Sequence, residues 1–371
     1  MIIAGEASGD IHGARLVKAM HDADKNLDFF GVGGQALQKA GVHIRVDNAR
    51  LATVGIWEAL VKLKLIVAAL NIVKRDLRRY RPDLLILIDY PDFNFRVASA
   101  AKKLGIPVMY YISPQIWAWR TGRIKTIKKI VDHMVVIFPF EVGFYERGNV
   151  PVTFVGHPLL DNIAPRKSEK ELSTWGSHGM VIGLLPGSRN EEVSRLLPTM
   201  VEAAKRIKKE IPDTQFAIPV ASTVDKSLVE GIARGAGDDF HMVFDGIQGV
   251  LEKATLVITA SGTATLETAI ACTPMIVVYK VSGLSYWLGK RLIRVKQIAL
   301  ANLVAGKPIV PELIQHEVSA ESIASVALSL VKDESALAEM RQQLKVVGQT
   351  LGNPGASKRA ADVALALLSN N

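Results

Sequence analysis

The sequence predicts an α/β protein built on parallel sheets and folded as two domains. Three observations carry that prediction. Short continuous apolar runs, such as Leu84–Ile88 and Leu256–Thr259, alternate with longer helical stretches. Strands that are apolar on both faces belong in parallel sheets covered by helices. Turns of small residues separate such a run from the helix after it, as at Gly5–Asp10 and Ala260–Thr263, which is the pattern of strand–turn–helix units. Finally, 371 residues are long for one core, and the polar stretch from Asn162 to His178 divides the chain near its middle. The expected first domain covers 1–161 and the second 162–352, with a last helix within 355–371 that can cross back to the first.

Composition narrows the setting. The single cysteine, Cys272, falls in an apolar helical stretch and cannot form an internal disulfide, which suits a reducing cytoplasm. Met1–Gly5 runs straight into a strand and turn, so no leader peptide is expected. The net charge of +9 is concentrated early: residues 1–165 hold 22 Lys and Arg against 15 Asp and Glu, the remainder 23 against 21. The first half is therefore expected to face something anionic, whether a membrane surface, a phosphorylated substrate or nucleic acid.

Taken in order, Ile2–Ala4 reads as the first strand, Gly5–Asp10 as its turn, and a helix follows to about Met20. Phe29–Gly34 is a second strand and loop. The stretch from Trp57 to Tyr80 is helical, apolar and basic. Lys62 and Lys64 leave its uncharged run too short to span a bilayer. Such a helix suits a membrane interface, and it equally suits a core helix with a solvated basic end. Leu84–Ile88 is a buried strand ending in Asp89, and functional residues of open α/β sheets gather at such carboxyl ends. Asp89 is the first polar residue there and a candidate catalytic group, while Asp92 reads as the cap of the next helix. After the strand Val108–Ile112, Trp117 and Trp119 precede Arg120, Arg123, Lys125, Lys128 and Lys129. Aromatics beside bases fit nucleic-acid stacking, lipid contact or plain packing. Strands at His133–Ile137 and Val152–Val155 flank a helix at Phe140–Arg147. His157, just beyond, can reach a phosphate or serve structure.

In the second half, Met180–Leu185 is a strand followed by the turn of Gly187 and Ser188, with Arg189 just ahead of a helix at Glu191–Lys209. A planar, permanent guanidinium suits a diphosphate; the alternative is an ion pair with Glu191 or Glu192. Strands recur at Gln215–Pro219 and His241–Phe244. Leu256–Lys280 then reads strand, turn, helix, strand. Ser261, Gly262 and Thr263 fall where free backbone N–H groups and the helix dipole attract phosphate. Glu267, about a turn later, can accept hydrogen bonds from ribose hydroxyls, or is simply a first-turn acid. The amide of Asn302 lies among small and apolar residues and needs partners. Helices at Ala320–Lys332, Ser335–Leu351 and Ala356–Leu368 close the chain. There is no repeat, P-loop, Gly-x-Ser-x-Gly nucleophile or His/Cys metal constellation.

Eight motifs together resemble the lipid-A-disaccharide synthase family over nearly the whole chain: GEASGD (Gly5–Asp10), IDYPDFN (Ile88–Asn94), YISPQIWAWR (Tyr111–Arg120), FPFE (Phe138–Glu141), FVGHPL (Phe154–Leu159), LLPGSRNEEV (Leu184–Val193), ASGTATLE (Ala260–Glu267) and ANLVAGK (Ala301–Lys307). The resemblance implies a GT-B type fold, two Rossmann-like domains with parallel sheets facing across a cleft. It implies a hexosyltransferase that joins UDP-2,3-diacylglucosamine to 2,3-diacylglucosamine 1-phosphate, giving a β-1,6-linked disaccharide phosphate and UDP, with no metal or cofactor. Asp89 would be the general base for the acceptor hydroxyl. Gly187, Ser188, Arg189, Ser261, Gly262 and Thr263 would stabilise the leaving diphosphate, Glu267 would hold the ribose, and Asn302 would hold donor polar groups. Glu6, Ser8, Asp10 and His157 would line the acceptor side. Trp57, Leu65, Ile66, Lys74, Arg75, Arg78 and Arg79 would dock on an anionic inner leaflet, with the enzyme peripheral on the cytoplasmic face of the inner membrane. A nucleotide-sugar 2-epimerase of the same fold would have no use for the basic apolar helix. A nucleic-acid-binding protein would leave Arg189, Gly262 and Glu267 without a role, and a peripheral scaffold would not need Asp89.

Overall fold

The computed structural model describes residues 1–51, 58–162, 179–235, 237–244, 246–281 and 297–369. Trp57, the linker stretch 163–178 and most of the basic aromatic stretch after Lys280 lie outside the described residues. Two compact units emerge, Met1–Ala164 with Leu351–Asn371, and Pro165–Thr350.

The first unit holds the strands β1 (Ile2–Ala4), β2 (Phe30–Gly33), β3 (His43–Asp47), β4 (Leu85–Ile88), β5 (Val108–Tyr111), β6 (His133–Val136) and β7 (Val152–Phe154). They form one parallel sheet in the order β3-β2-β1-β4-β5-β6-β7. The second unit holds β8 (Val181–Leu185), β9 (Gln215–Pro219), β10 (Phe240–Val243), β11 (Leu256–Ala260), β12 (Met275–Tyr279) and β13 (Glu312–Ile314). Its parallel order is β10-β9-β8-β11-β12-β13. Both are doubly wound. The central strands β1, β4, β5, β8 and β11 are buried along their length, which is why they read as unbroken apolar runs. In each sheet the strand order reverses once, between β1 and β4 and between β8 and β11. Chains leave such a point in opposite directions and open a crevice at the carboxyl strand ends.

Two edge strands escaped the sequence reading. β3 alternates exposed and half-buried residues, and β13 is three half-buried residues long. Neither carries the continuous apolar run that marks a central strand. Cys272 also departs from expectation. The helix it was assigned to ends at Ile270, and Cys272 sits in the following turn at φ 55°.

The helix Glu58–Tyr80 turns Ala69, Leu70, Val73, Asp76 and Leu77 inward at helical spacing. Buried Asp76 accepts a hydrogen bond from Arg45 Nε at 3.0 Å. Leu65 and Val67 face out, 39% and 45% exposed, and Arg75, Arg78 and Arg79 are exposed beyond them. Ile66, expected on the same outer surface, instead packs against the core. No helix among the described residues is long and apolar enough to cross a membrane.

The last helix, Ala356–Ser369, packs on the helix Ala7–Ala23 of the first unit. Asp161 caps it, accepting from Gly355 N at 2.6 Å. Arg359 ties it to the carbonyls of Val155, Asn353 and Pro354.

Candidate active site

At the reversal point of the first sheet, β1 ends in Gly5 and Glu6, and β4 ends in Asp89 and Tyr90. Asp89 and Tyr90 both take left-handed backbone angles, φ 45° and 47°, a conformation that costs non-glycine residues free energy and persists only when neighbours impose it. Three neighbours impose it here. Asn94 Nδ2 donates to Ile88 O at 3.2 Å and Asp89 O at 2.5 Å, and the Tyr110 hydroxyl donates to Asp89 O at 2.5 Å. Asn94 and Tyr110 are fully buried. Gly5 completes the clamp, because a Cβ there would lie 2.3 Å from the Tyr90 ring.

This turn holds the Asp89 carboxyl half-buried. Burial first, and the negative charge of nearby Glu6 second, push its pKa up to about 6. A carboxylate of that basicity suits a proton acceptor working near neutral pH. Glu6 and Ser8 are exposed at the start of the helix Ala7–Ala23, beside this turn.

Two residues expected on the same side are buried and bonded to backbone N–H groups. Asp10 is 6% exposed, and its carboxylate accepts from the backbone N–H of Gly34, Ala36 and Leu37 at 2.6–3.3 Å. It caps the short helix Gln35–Lys39. His157 is 5% exposed, stacks near Phe138, and accepts from Leu159 N through Nδ1 at 3.2 Å. Burial, then the neighbouring His12, lowers its pKa to about 4, so it stands neutral at pH 7. Asp92 is likewise not a cap; it lies inside the first turn and pairs with Arg123 at 2.7 Å and Arg120 at 3.7 Å. The tryptophan-rich loop packs inward at Trp117, whose Nε1 donates to buried Glu141 at 3.1 Å. Arg120 stacks on Trp119 at 4.1 Å.

At the reversal point of the second sheet, the turns after β8 and β11 enclose a cavity of about 480 Å³. Gly187, Ser188, Arg189, Ser261, Gly262, Thr263 and Glu267 all line it. Gly262 stands at the start of the helix Thr263–Ile270, with open space where a Cβ would point. Ser261 Oγ donates to Ile298 O at 3.2 Å. Burial raises the pKa of Glu267, whose carboxylate faces Gln248 Nε2 at 3.5 Å. Arg189 is 78% exposed on its side chain and pairs with Glu192 at 3.1 Å, the alternative the sequence had left open.

Asn302, expected to hold donor polar groups, is bonded within the fold. It is fully buried, and its amide is saturated by Ile309 N, Val310 N, Val310 O and Glu312 Oε1 at 2.7–3.0 Å. It fastens the segment before β13. Sequence reasoning missed Asn94, Tyr110 and Thr223. Asn94 lay within a motif that was singled out, but its partners are backbone carbonyls that no side-chain pattern reveals. Thr223 Oγ1 donates to Ser188 O at 2.6 Å from across the turn, 35 residues away.

The class of protein follows from these two sheets. The MnaA protein of S. aureus, solved with UDP, superposes over 100% of this chain and 97% of its own with a TM-score of 0.66 at 14% identity. The MurG protein of Acinetobacter baumannii covers 99% and 98% with a TM-score of 0.60 at 14% identity. At such identity the likeness shows the fold, which is the GT-B type of two Rossmann-like domains. Sequence then sets the family. The model of the lipid-A-disaccharide synthetase family matches residues 1–367. The lipid-A-disaccharide synthase of Geobacter sulfurreducens is 45% identical over 371 residues, 99% of this chain and 97% of that protein. The chain belongs to the lipid-A-disaccharide synthetase family and is a glycosyltransferase of lipid A biosynthesis. The epimerase and nucleic-acid readings are set aside by that membership.

Proposed function

We propose that the chain transfers a diacylglucosamine from UDP-2,3-diacylglucosamine to the 6-hydroxyl of 2,3-diacylglucosamine 1-phosphate, releasing UDP. The observation that carries this reading is Asp89, strained and half-buried at a sheet reversal point with a pKa of about 6. As general base it takes the hydroxyl proton while the oxygen attacks the anomeric carbon. The donor occupies the cavity of the second unit. Arg189, with the backbone N–H groups of Ser188 and the Gly262–Thr263 helix start, stabilises the charge that builds on the leaving diphosphate. Glu267 holds the ribose hydroxyls. Glu6 and Ser8 border the acceptor.

The test is UDP release from detergent-solubilised donor, with and without acceptor. Acceptor-dependent release is expected from the wild-type chain. In Asp89→Asn it should fall by about 10²–10⁴-fold, the range of a lost general base, while UDP still binds. Undiminished release from the variant would move the base elsewhere.

The exposed Leu65 and Val67, with Arg75, Arg78 and Arg79 further along the same helix, favour peripheral docking on an anionic leaflet, where the acylated substrates reside. Reversing the charges at Lys74, Arg75, Arg78 and Arg79 should release the protein from anionic vesicles, at about 1 kcal/mol for each basic group that touches the surface. Unaltered co-sedimentation would refute the docking.

A further inference from the structure

The turn after β8 carries a contact that a bound nucleotide cannot share. Glu192 lies in the first turn of the helix Asn190–Glu210. Its Oε2 accepts the Ser188 N–H at 3.0 Å, and its Oε1 accepts Arg189 Nη1 at 3.1 Å. Gly187, at φ 119°, brings the backbone so near that a Cβ would lie 2.4 Å from Oε2. All four residues line the cavity of about 480 Å³. A backbone N–H at a helix start and a guanidinium are the donors a phosphate seeks, and here a carboxylate of the same chain holds both.

The carboxylate does not support the turn by itself. Thr223 Oγ1 holds Ser188 O at 2.6 Å, and Asn190 Oδ1 accepts Asp225 N at 2.9 Å. Those two bonds tether the turn to residues 223–225 whatever Glu192 does. The ion pair is also open to water, with side chains 78% and 35% exposed, so it is weak enough to exchange. A diphosphate reaching the same donors meets a like charge at ion-pair distance and must displace it.

Resting on the reading of this cavity as the nucleotide site, we infer that Glu192 is a place-holder for the donor diphosphate. It keeps the Ser188 N–H and the Arg189 guanidinium aimed into the cavity, yields them as the nucleotide arrives, and reclaims them as UDP leaves. Glu192 therefore sets how tightly product is held. It trades ground-state affinity for release and leaves the chemical step to other groups.

Titration calorimetry of the full chain with UDP and, separately, with uridine tests this. Glu192→Gln keeps the shape and removes the charge. The variant should bind UDP about threefold or more tightly, the scale of an exposed ion pair joined by a like-charge repulsion. Its uridine affinity should not change, because uridine has no phosphate. Unchanged or weaker UDP binding beside unchanged uridine binding would overturn the place-holder and leave the nucleotide site standing. Weaker binding of both ligands would make Glu192 a structural support and overturn it too. Wild-type chain that binds UDP no tighter than uridine would defeat the nucleotide reading itself, whatever the variant does.

Discussion

The turns after β4 and β8 each lie at the reversal point of a doubly wound sheet, and their chemistry is opposite. After β4 the backbone is forced into left-handed angles, two buried donors grip one carbonyl, and burial lifts the Asp89 carboxyl to about pH 6. After β8 the turn is exposed, and its guanidinium, on Arg189, is paired with a carboxylate three residues on. One site holds a strained, desolvated carboxyl with a raised pKa. The other keeps hydrated charges that can change partners. The difference teaches that topology chooses where a site forms, while the surrounding side chains choose whether it is rigid or exchangeable.

The comparison can be broken first at Asp89. Turnover should follow the ionised carboxylate, dropping about tenfold for each pH unit below 6 and levelling above it. A pH–rate profile flat through that region would remove the desolvated base. Stability should move the other way. The folded pKa of about 6 lies above the ordinary value of 3.8, so the folded state binds the proton more tightly. Its contribution is therefore full below about pH 4 and is lost as pH rises through 6. At pH 7 Asp89→Asn should accordingly be more stable than wild type, by about 2–3 kcal/mol. Chemical denaturation at pH 7 and pH 4 checks the sign, with the gain expected only at the higher pH.

A smaller effect is expected at the exchangeable turn. Arg189→Ala should weaken UDP binding by about 1–2 kcal/mol, less than a buried charge pair would lose, since the side chain is mostly in water. Calorimetry with UDP measures it, and wild-type affinity in the variant would exclude a phosphate role. The smallest sharpens the rigid turn. Tyr110→Phe removes the hydroxyl on Asp89 O and should cost about 1 kcal/mol of stability. It should also lower turnover without altering UDP affinity. If turnover held, the Tyr110 grip would be irrelevant to positioning Asp89.

Much of this was legible in the chain. The central strands announce themselves as apolar runs; Asp89 and Ser261–Thr263 stand directly after such runs and Arg189 a short turn after one, so their placement near carboxyl strand ends could be read off. The polar residues were harder. Asp10, His157 and Asn302 lie in motifs as suggestive as that of Asp89, yet each has polar atoms bound to groups of the fold itself. A polar residue in a motif reads the same whether it serves a ligand or a buried loop, because both demand hydrogen bonds.

The central strands, the parallel α/β class and the family thus rest on local pattern, since apolar periodicity and turn chemistry act within a few residues and are written into neighbouring positions. The gripping of Asp89 by Asn94 and Tyr110, the tether from Thr223 to Ser188 and the saturation of Asn302 were decided only by tertiary structure. Desolvation and hydrogen-bond partnership depend on which groups the folded chain brings within about 3 Å, and residues separated by a strand and a helix carry no local mark of that meeting.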